Sequence, residues 1–156
     1  MTNKTQLFWL VTLRVLIGWH FLYEGLTKLV NPNWSSVGYL LDSQGIFKGF
    51  YHSLASNADV LQIVDQMNIW GLIAIGLGLI LGLFSRAALW SALLLLGIYY
   101  FSHPPCIGLN YALPMEGSYL IVNKTLIEIA AVAVLICFPT SRRIGIDRMI
   151  FGRKNS

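Results

Sequence analysis

Five charged side chains stand inside long apolar stretches of this 156-residue chain, Arg14, Glu24, Lys28, Lys124 and Glu128, and the polar His20 and Asn123 join them. A charge at the centre of a bilayer costs roughly 2.5–3.5 kcal/mol on insertion scales, so each charged member marks a place to look for chemistry. Their types are complementary. The carboxylates Glu24 and Glu128 are groups that can handle protons. The cations Arg14, Lys28 and Lys124 are groups that can hold an anion or a carboxylate. Spacing pairs them. His20, Glu24 and Lys28 are successive i,i+4 neighbours, so Glu24 can reach Lys28, and Lys124 stands to Glu128 in the same way. At about 100° per residue, Arg14, Gly18, Phe21, Gly25 and Lys28 share one face, with Glu24 at its edge and His20 further round.

The elements that must position these groups are four apolar runs, at about 7–30, 67–84, 87–103 and 118–138. Each is long enough to cross the hydrocarbon layer as a helix, which satisfies its own backbone. Composition agrees. Charged residues are 12% of the chain and hydrophobic ones 56%, whereas soluble domains carry about 25% charged residues. These numbers argue against a water-facing globule and exclude disorder. The reading is all-α: one polytopic membrane domain over 1–156, a four-transmembrane-helix bundle in contact with the lipid bilayer. The net charge of +4 does not point to nucleic acid, because the basic residues flank apolar runs rather than forming a patch. The first run is a retained helix and not a secretory signal, since Arg14 interrupts it and no small-residue cleavage site follows.

Basic residues then set the topology. Lys4, Arg86, Arg142, Arg143, Arg148, Arg153 and Lys154 fall on one side; Lys48 lies on the other with Asp42, Asp59, Asp65 and Glu116. The first side should face the cytoplasm, placing both termini and the basic tail 139–156 inside the inner membrane. Ser85 and Arg86 make a short turn, so the second and third helices form a hairpin. Residues 31–66 form the longer outer loop, with apolar residues at helical spacing from Gly38 to Ala55; this predicts one outer interfacial or re-entrant helix, or a surface helix capping the bundle. At about 1.5 Å per residue, Arg14 and Glu128 fall at similar depths, as do Glu24 and Lys124. Two cross-helix pairs are therefore expected, Arg14–Glu128 and Glu24–Lys124, serving either to fix helix register or to handle protons. Gly78 and Gly82 have the spacing that permits close helix approach.

Cys106 and Cys137 give no disulfide framework, no CxxC pair and no zinc pattern, and their placement at opposite ends of the bundle forbids a bond between them. No metal, flavin or haem motif is visible. The outer half is rich in aromatics, including Tyr23, Trp34, Tyr99 and Tyr119. They suit either an interfacial belt or an aromatic-lined pocket for a quinone ring.

Arg14-x-x-x-Gly18 leading into WHFLYEGLTKL (19–29), then NPNWSSVGYL (31–40), GLILGLFSR (78–86), YYFSHPP (99–105) and EGSYLIVNKTLIE (116–128) resemble the DoxX/DoxD-like membrane proteins, most closely the DoxD-like branch. The resemblance implies a four-helix membrane domain. In that branch it also implies the large subunit of a thiosulfate:quinone oxidoreductase, which works with a small DoxA subunit, oxidises thiosulfate to tetrathionate and reduces quinone. DoxX relatives are tied more loosely to redox and thiol homeostasis. The arrangement is also similar to the quinone-linked thiol oxidoreductases DsbB and vitamin K epoxide reductase, but this chain lacks their CxxC.

Two functions follow as expectations. In the first, the chain is an enzyme subunit: Glu24, Glu128 and Arg14 are the catalytic candidates, while Lys28, Lys124, Asn123, His20, Tyr23 and Trp34 bind a sulfur anion and quinone, and Lys48 helps attract the anion. A DoxA-like or other redox subunit would be the partner, and a homo-oligomer is open. In the second, the chain is a non-catalytic assembly or anchor protein, or a small-solute carrier, and its ion pairs only set register.

Overall fold

The computed structural model describes residues 3–106, 109, 111–112 and 120–151, and the regular elements among them are all helices. Helix α1 (Lys4–Val30) opens with a capping box: the Asn3 side chain accepts from the Thr5 amide, and the Asn3 amide donates to Gln6 Oε1. It stops at Asn31, immediately before Pro32, which disfavours a helical residue in front of it. Two short helices follow, α2 (Val37–Asp42) and α3 (Lys48–Ser56). Helix α4 (Ala58–Leu81) is capped by Asn57 and ends at Gly82, whose φ of 66° is the left-handed conformation that glycine adopts without strain. Helices α5 (Ser85–Ser102), α6 (Lys124–Cys137) and α7 (Asp147–Phe151) complete the order.

The long helices pack in a ring: α1 on α4, α4 on α5, α5 on α6, and α6 back on α1. Their shared core includes Ile17, Phe21, Leu72, Leu79, Ala92, Val132 and Leu135. The closest approach is between α1 and α4. A Cβ added at Gly76 would stand 2.5 Å from the Leu22 amide nitrogen, and one at Gly25 2.7 Å from Ile73. This approach rests on Gly18, Gly25 and Gly76. The expected Gly78/Gly82 pair works elsewhere: Gly78 faces Leu83 and Ala88 inside the α4–α5 hairpin.

The outer surface of the ring is apolar. Trp9, Leu16, Trp19, Met67, Trp70 and Leu94 are each more than half exposed. Such a belt of large apolar groups is not stable in water and marks a lipid-facing surface. Helices α1 and α4 are each long and apolar enough to cross a membrane.

Several boundaries differ from expectation. Helix α4 begins at Ala58 rather than near Met67, because Asn57 caps the first turn of a mixed polar and apolar segment that continues directly into the apolar run. Helix α6 begins at Lys124 because the Asn123 side chain caps it, accepting from the Leu126 amide at 2.9 Å; residues 120–123 are not helical, and 118–119 lie outside the described residues. The single helix expected over 38–55 is instead split between α2 and α3. The cause lies at the end of α5, where the Ser102 carbonyl has no partner within its own helix. Ser43 Oγ donates to Ser102 O at 2.9 Å and the Gly45 amide to the same oxygen at 3.3 Å. The Tyr39 and Tyr51 hydroxyls donate to the carbonyls of Tyr99 and Ile98. The segment breaks where its backbone meets the helix end, and a Cβ at Gly45 would overlap the Phe101 carbonyl.

Candidate functional site

The expected site residues separate into two groups along the bundle. At the end that carries the basic residues, Arg14 is 3% exposed and donates from Nη1 to Thr140 Oγ1 at 2.9 Å. The Asp147 carboxylate attracts it electrostatically and accepts the amides of Phe84 and Ser85 at 2.7 and 3.1 Å. Asp147 thereby holds Phe84 at a φ of 47°, an unfavourable conformation for a bulky residue. The expected Arg14–Glu128 pair is absent. Helical side chains tilt toward their own N-terminus. In the antiparallel α1 and α6 that tilt sends Arg14 toward the basic end and Glu128 away from it.

Toward the opposite end, Glu128 instead meets His20, with Oε1 2.8 Å from Nδ1. Glu24 lies 3.8 Å from Lys28, and no Glu24–Lys124 ion pair occurs among the described residues. Lys124 is exposed at the start of α6. Lys28 is the organised member of this group, and its side chain is 17% exposed. Nζ donates to Asn68 Oδ1 at 3.1 Å, and it lies 5.1 Å from the centre of the Trp34 ring and 6.0 Å from that of Tyr99. The Asn68 amide donates to the Tyr99 hydroxyl at 2.6 Å. That hydroxyl therefore accepts and keeps its own O–H to donate. Four elements converge on one ammonium: α1, the 31–36 turn, α4 and α5. Tyr23 is exposed on α1 and Asn123 is engaged as a cap, so neither joins this cluster.

The network continues to the end of α5. The Tyr39 ring meets Tyr99 edge-on and lies 4.1 Å from His103, which lies 4.9 Å from Tyr111. His103 is 3% exposed, with Nδ1 3.0 Å from Ser102 Oγ and Nε2 3.8 Å from Asp42. Burial lowers the His103 pKa, against the pull of Asp42 toward the charged form. Burial also raises the Tyr39 and Tyr111 hydroxyls above the usual tyrosine value, so both stay protonated.

Asn68, Asp147 and the His103–Asp42 pair escaped the sequence reading. Asn68 had a signal, since it is the one amide within the run 67–84. Asp147 had another, as the single acid in the basic tail. His103 and Asp42 are 61 positions apart and had none.

The DoxX family model matches residues 9–104, from α1 to the end of α5. The chain belongs to the DoxX family. Neither the curated proteins nor the solved structures contain a match. The matched stretch holds Arg14, His20, Glu24, Lys28, Trp34, Asn68, Tyr99 and His103, whereas Asn123, Lys124, Glu128 and Asp147 lie beyond it. Family membership and the apolar helices together make this DoxX-family chain a membrane protein.

Proposed function

We propose that this DoxX-family chain is an inner-membrane protein with four spanning helices and cytoplasmic termini. In this reading it is the membrane subunit of a quinone-linked oxidoreductase of the thiosulfate:quinone type, completed by a small DoxA-like subunit. Packing of α5 and α6 alongside α1 and α4 supports four spans, since helices packed side by side share one depth. The basic residues at the end holding Arg86 and Arg142 support the orientation.

The observation that carries the functional reading is the setting of Lys28. Its ammonium is fixed by Asn68 and flanked by the rings of Trp34 and Tyr99, with Glu24 beside it. This donor set fits a quinone: Trp34 and Tyr99 offer flat faces, and the Tyr99 hydroxyl and Lys28 offer protons to a carbonyl oxygen. Joining two thiosulfates through a new S–S bond releases two electrons, and a bound quinone takes those two electrons with two protons. Lys28 supplies positive charge for an anion that would otherwise lose much solvation on entering an apolar site. Glu24 and the His20–Glu128 pair are the proton-handling groups toward the same region.

Protein purified in native lipid should carry quinone detectable by mass spectrometry and reduce it when thiosulfate is added. Lys28→Gln should raise KM for thiosulfate, and Glu24→Gln and Glu128→Gln should lower kcat. If both glutamine variants fold and turn over normally, the proton role is excluded. If neither quinone nor reduction is found, with or without a co-purifying subunit, the enzyme reading falls. The non-catalytic anchor reading then stands, favoured by the exposed Ile46, Phe47 and Phe50 between and on the short helices.

A further inference from the structure

A cavity of about 510 Å³ opens at the basic end, between the start of α5, the end of α6 and the connection to α7. It lies far from Lys28 and takes no part in the reading above. Arg14, Ser85, Arg86, Thr140, Arg142 and Asp147 contribute its polar wall. Two buried donors there lack any hydrogen-bond partner: Arg14 Nε and Ser85 Oγ, on residues 3% and 2% exposed. Their buried neighbours are committed. Arg14 Nη1 is bound to Thr140, and Asp147 is bound to the amides of Phe84 and Ser85. Asp147 therefore occupies the first two amides at the start of α5, and the helix N-terminus is not by itself the attraction. What remains is an orphaned guanidinium edge, an orphaned hydroxyl and the exposed side chains of Arg86 and Arg142. Three arginines face one carboxylate, so the wall is net positive.

We propose that this cavity binds a phosphate group, carried by an anionic phospholipid of the leaflet at the basic end. A phosphate offers several strong acceptor oxygens, and guanidinium edges match its geometry. Arg86 and Arg142 supply the exposed guanidinium groups, and Ser85 Oγ and Arg14 Nε, sealed just beneath the wall, gain the acceptor they lack once its side chains part around the head group. Phe84, more than half exposed, and the half-buried Ile136 on the same wall give an apolar surface for the start of an acyl chain, which inorganic phosphate would leave unused. Basic pockets between spanning helices are a recognised place for anionic head groups.

The test compares wild type with Arg86→Gln/Arg142→Gln, whose substituted side chains are exposed and so leave the core intact. Native mass spectrometry from mixed phosphatidylglycerol and phosphatidylcholine micelles should show wild type retaining phosphatidylglycerol selectively. The double variant should bind it about 30-fold more weakly, the strength of two arginines near an anionic surface. Thermal melts in phosphatidylcholine nanodiscs with added inorganic phosphate form the second arm. Protection by inorganic phosphate equal to that by phosphatidylglycerol, and lost in the double variant, supports the phosphate site and assigns it to a soluble ligand. Equal retention of both lipids, or no difference between wild type and double variant in either arm, overturns the proposal.

Discussion

The α1–α4 interface sets the geometry of the Lys28 cluster, and Gly76→Ala is the sharpest way to disturb it. The added Cβ would stand 2.5 Å from the Leu22 amide nitrogen and 2.7 Å from both Leu22 Cα and Cβ. Favourable carbon contacts lie at about 3.5–4.0 Å, so α1 must retreat by about 1 Å. Overpacking costs about 1–3 kcal/mol, and the upper part applies because the obstacle is backbone rather than a side chain that can rotate. Alanine's better helix propensity returns about 1 kcal/mol, leaving a net loss of about 2 kcal/mol. The same retreat stretches the 3.1 Å Lys28–Asn68 bond beyond useful length. Gly71, on the same helix, has nothing within 4 Å of its added Cβ, so Gly71→Ala is the internal control. Thermal unfolding in detergent, followed by tryptophan fluorescence, should place Gly76→Ala about 4–8 °C below wild type, with Gly71→Ala at or above it. A Gly76→Ala protein that melts with or above Gly71→Ala would refute the packing argument and the rigid placement of Lys28 derived from it.

Asp147→Ala should cost about 1–3 kcal/mol in the same melts, because it leaves two helix-start amides without their acceptor and removes the attraction on the buried Arg14 charge; a loss below about 0.5 kcal/mol would show that Asp147 does not hold the basic end together. His103 gives a pH dependence of definite sign. Its folded pKa lies below the free imidazole value of about 6.5, so as pH falls through that value the unfolded chain takes up the proton first and stability declines, until the folded pKa is passed. His103→Gln should shrink the drop in Tm between pH 7.5 and 5.5, and an unchanged drop would exclude His103 as its source. Cys106 and Cys137 are both exposed thiols. A membrane-impermeant maleimide added to intact cells should label Cys106 and spare Cys137, and the reverse pattern would invert the proposed topology.

The long helices were legible because their apolar runs are local properties of the chain. What was not legible depended on partners distant in sequence. The break between α2 and α3 is dictated by α5 carbonyls 47 to 59 positions away, which no periodicity over 38–55 can report. The late start of α6 follows from one side chain, Asn123, acting as a cap rather than as an intramembrane ligand. Depth alone matched Arg14 to Glu128 but ignored side-chain tilt. Both residues are long, and in antiparallel helices the tilt separates them, which frees Glu128 for His20 and sends Arg14 to a tail read as a plain basic flank.

That redistribution narrows where chemistry can reside. Arg14 is absorbed by the scaffold, bound to Thr140, and the carboxylate that attracts it comes from α7 rather than from the apolar runs. The other four charges of those runs lie toward the opposite end, with Glu24 and Lys28 on α1 and Lys124 and Glu128 on α6. Lys28 is held jointly by α1, α4, α5 and the Trp34 turn. A group so held reports the integrity of the whole helix packing, so loss of activity in a packing variant such as Gly76→Ala says nothing about mechanism. Lys28→Gln is different, because Gln keeps a donor for Asn68 while removing the charge. If Lys28→Gln melts near wild type yet loses anion-dependent turnover, the charge itself is needed. If stability and turnover fall together, the ammonium is a structural tie, and the proposed quinone and thiosulfate chemistry must be sought elsewhere.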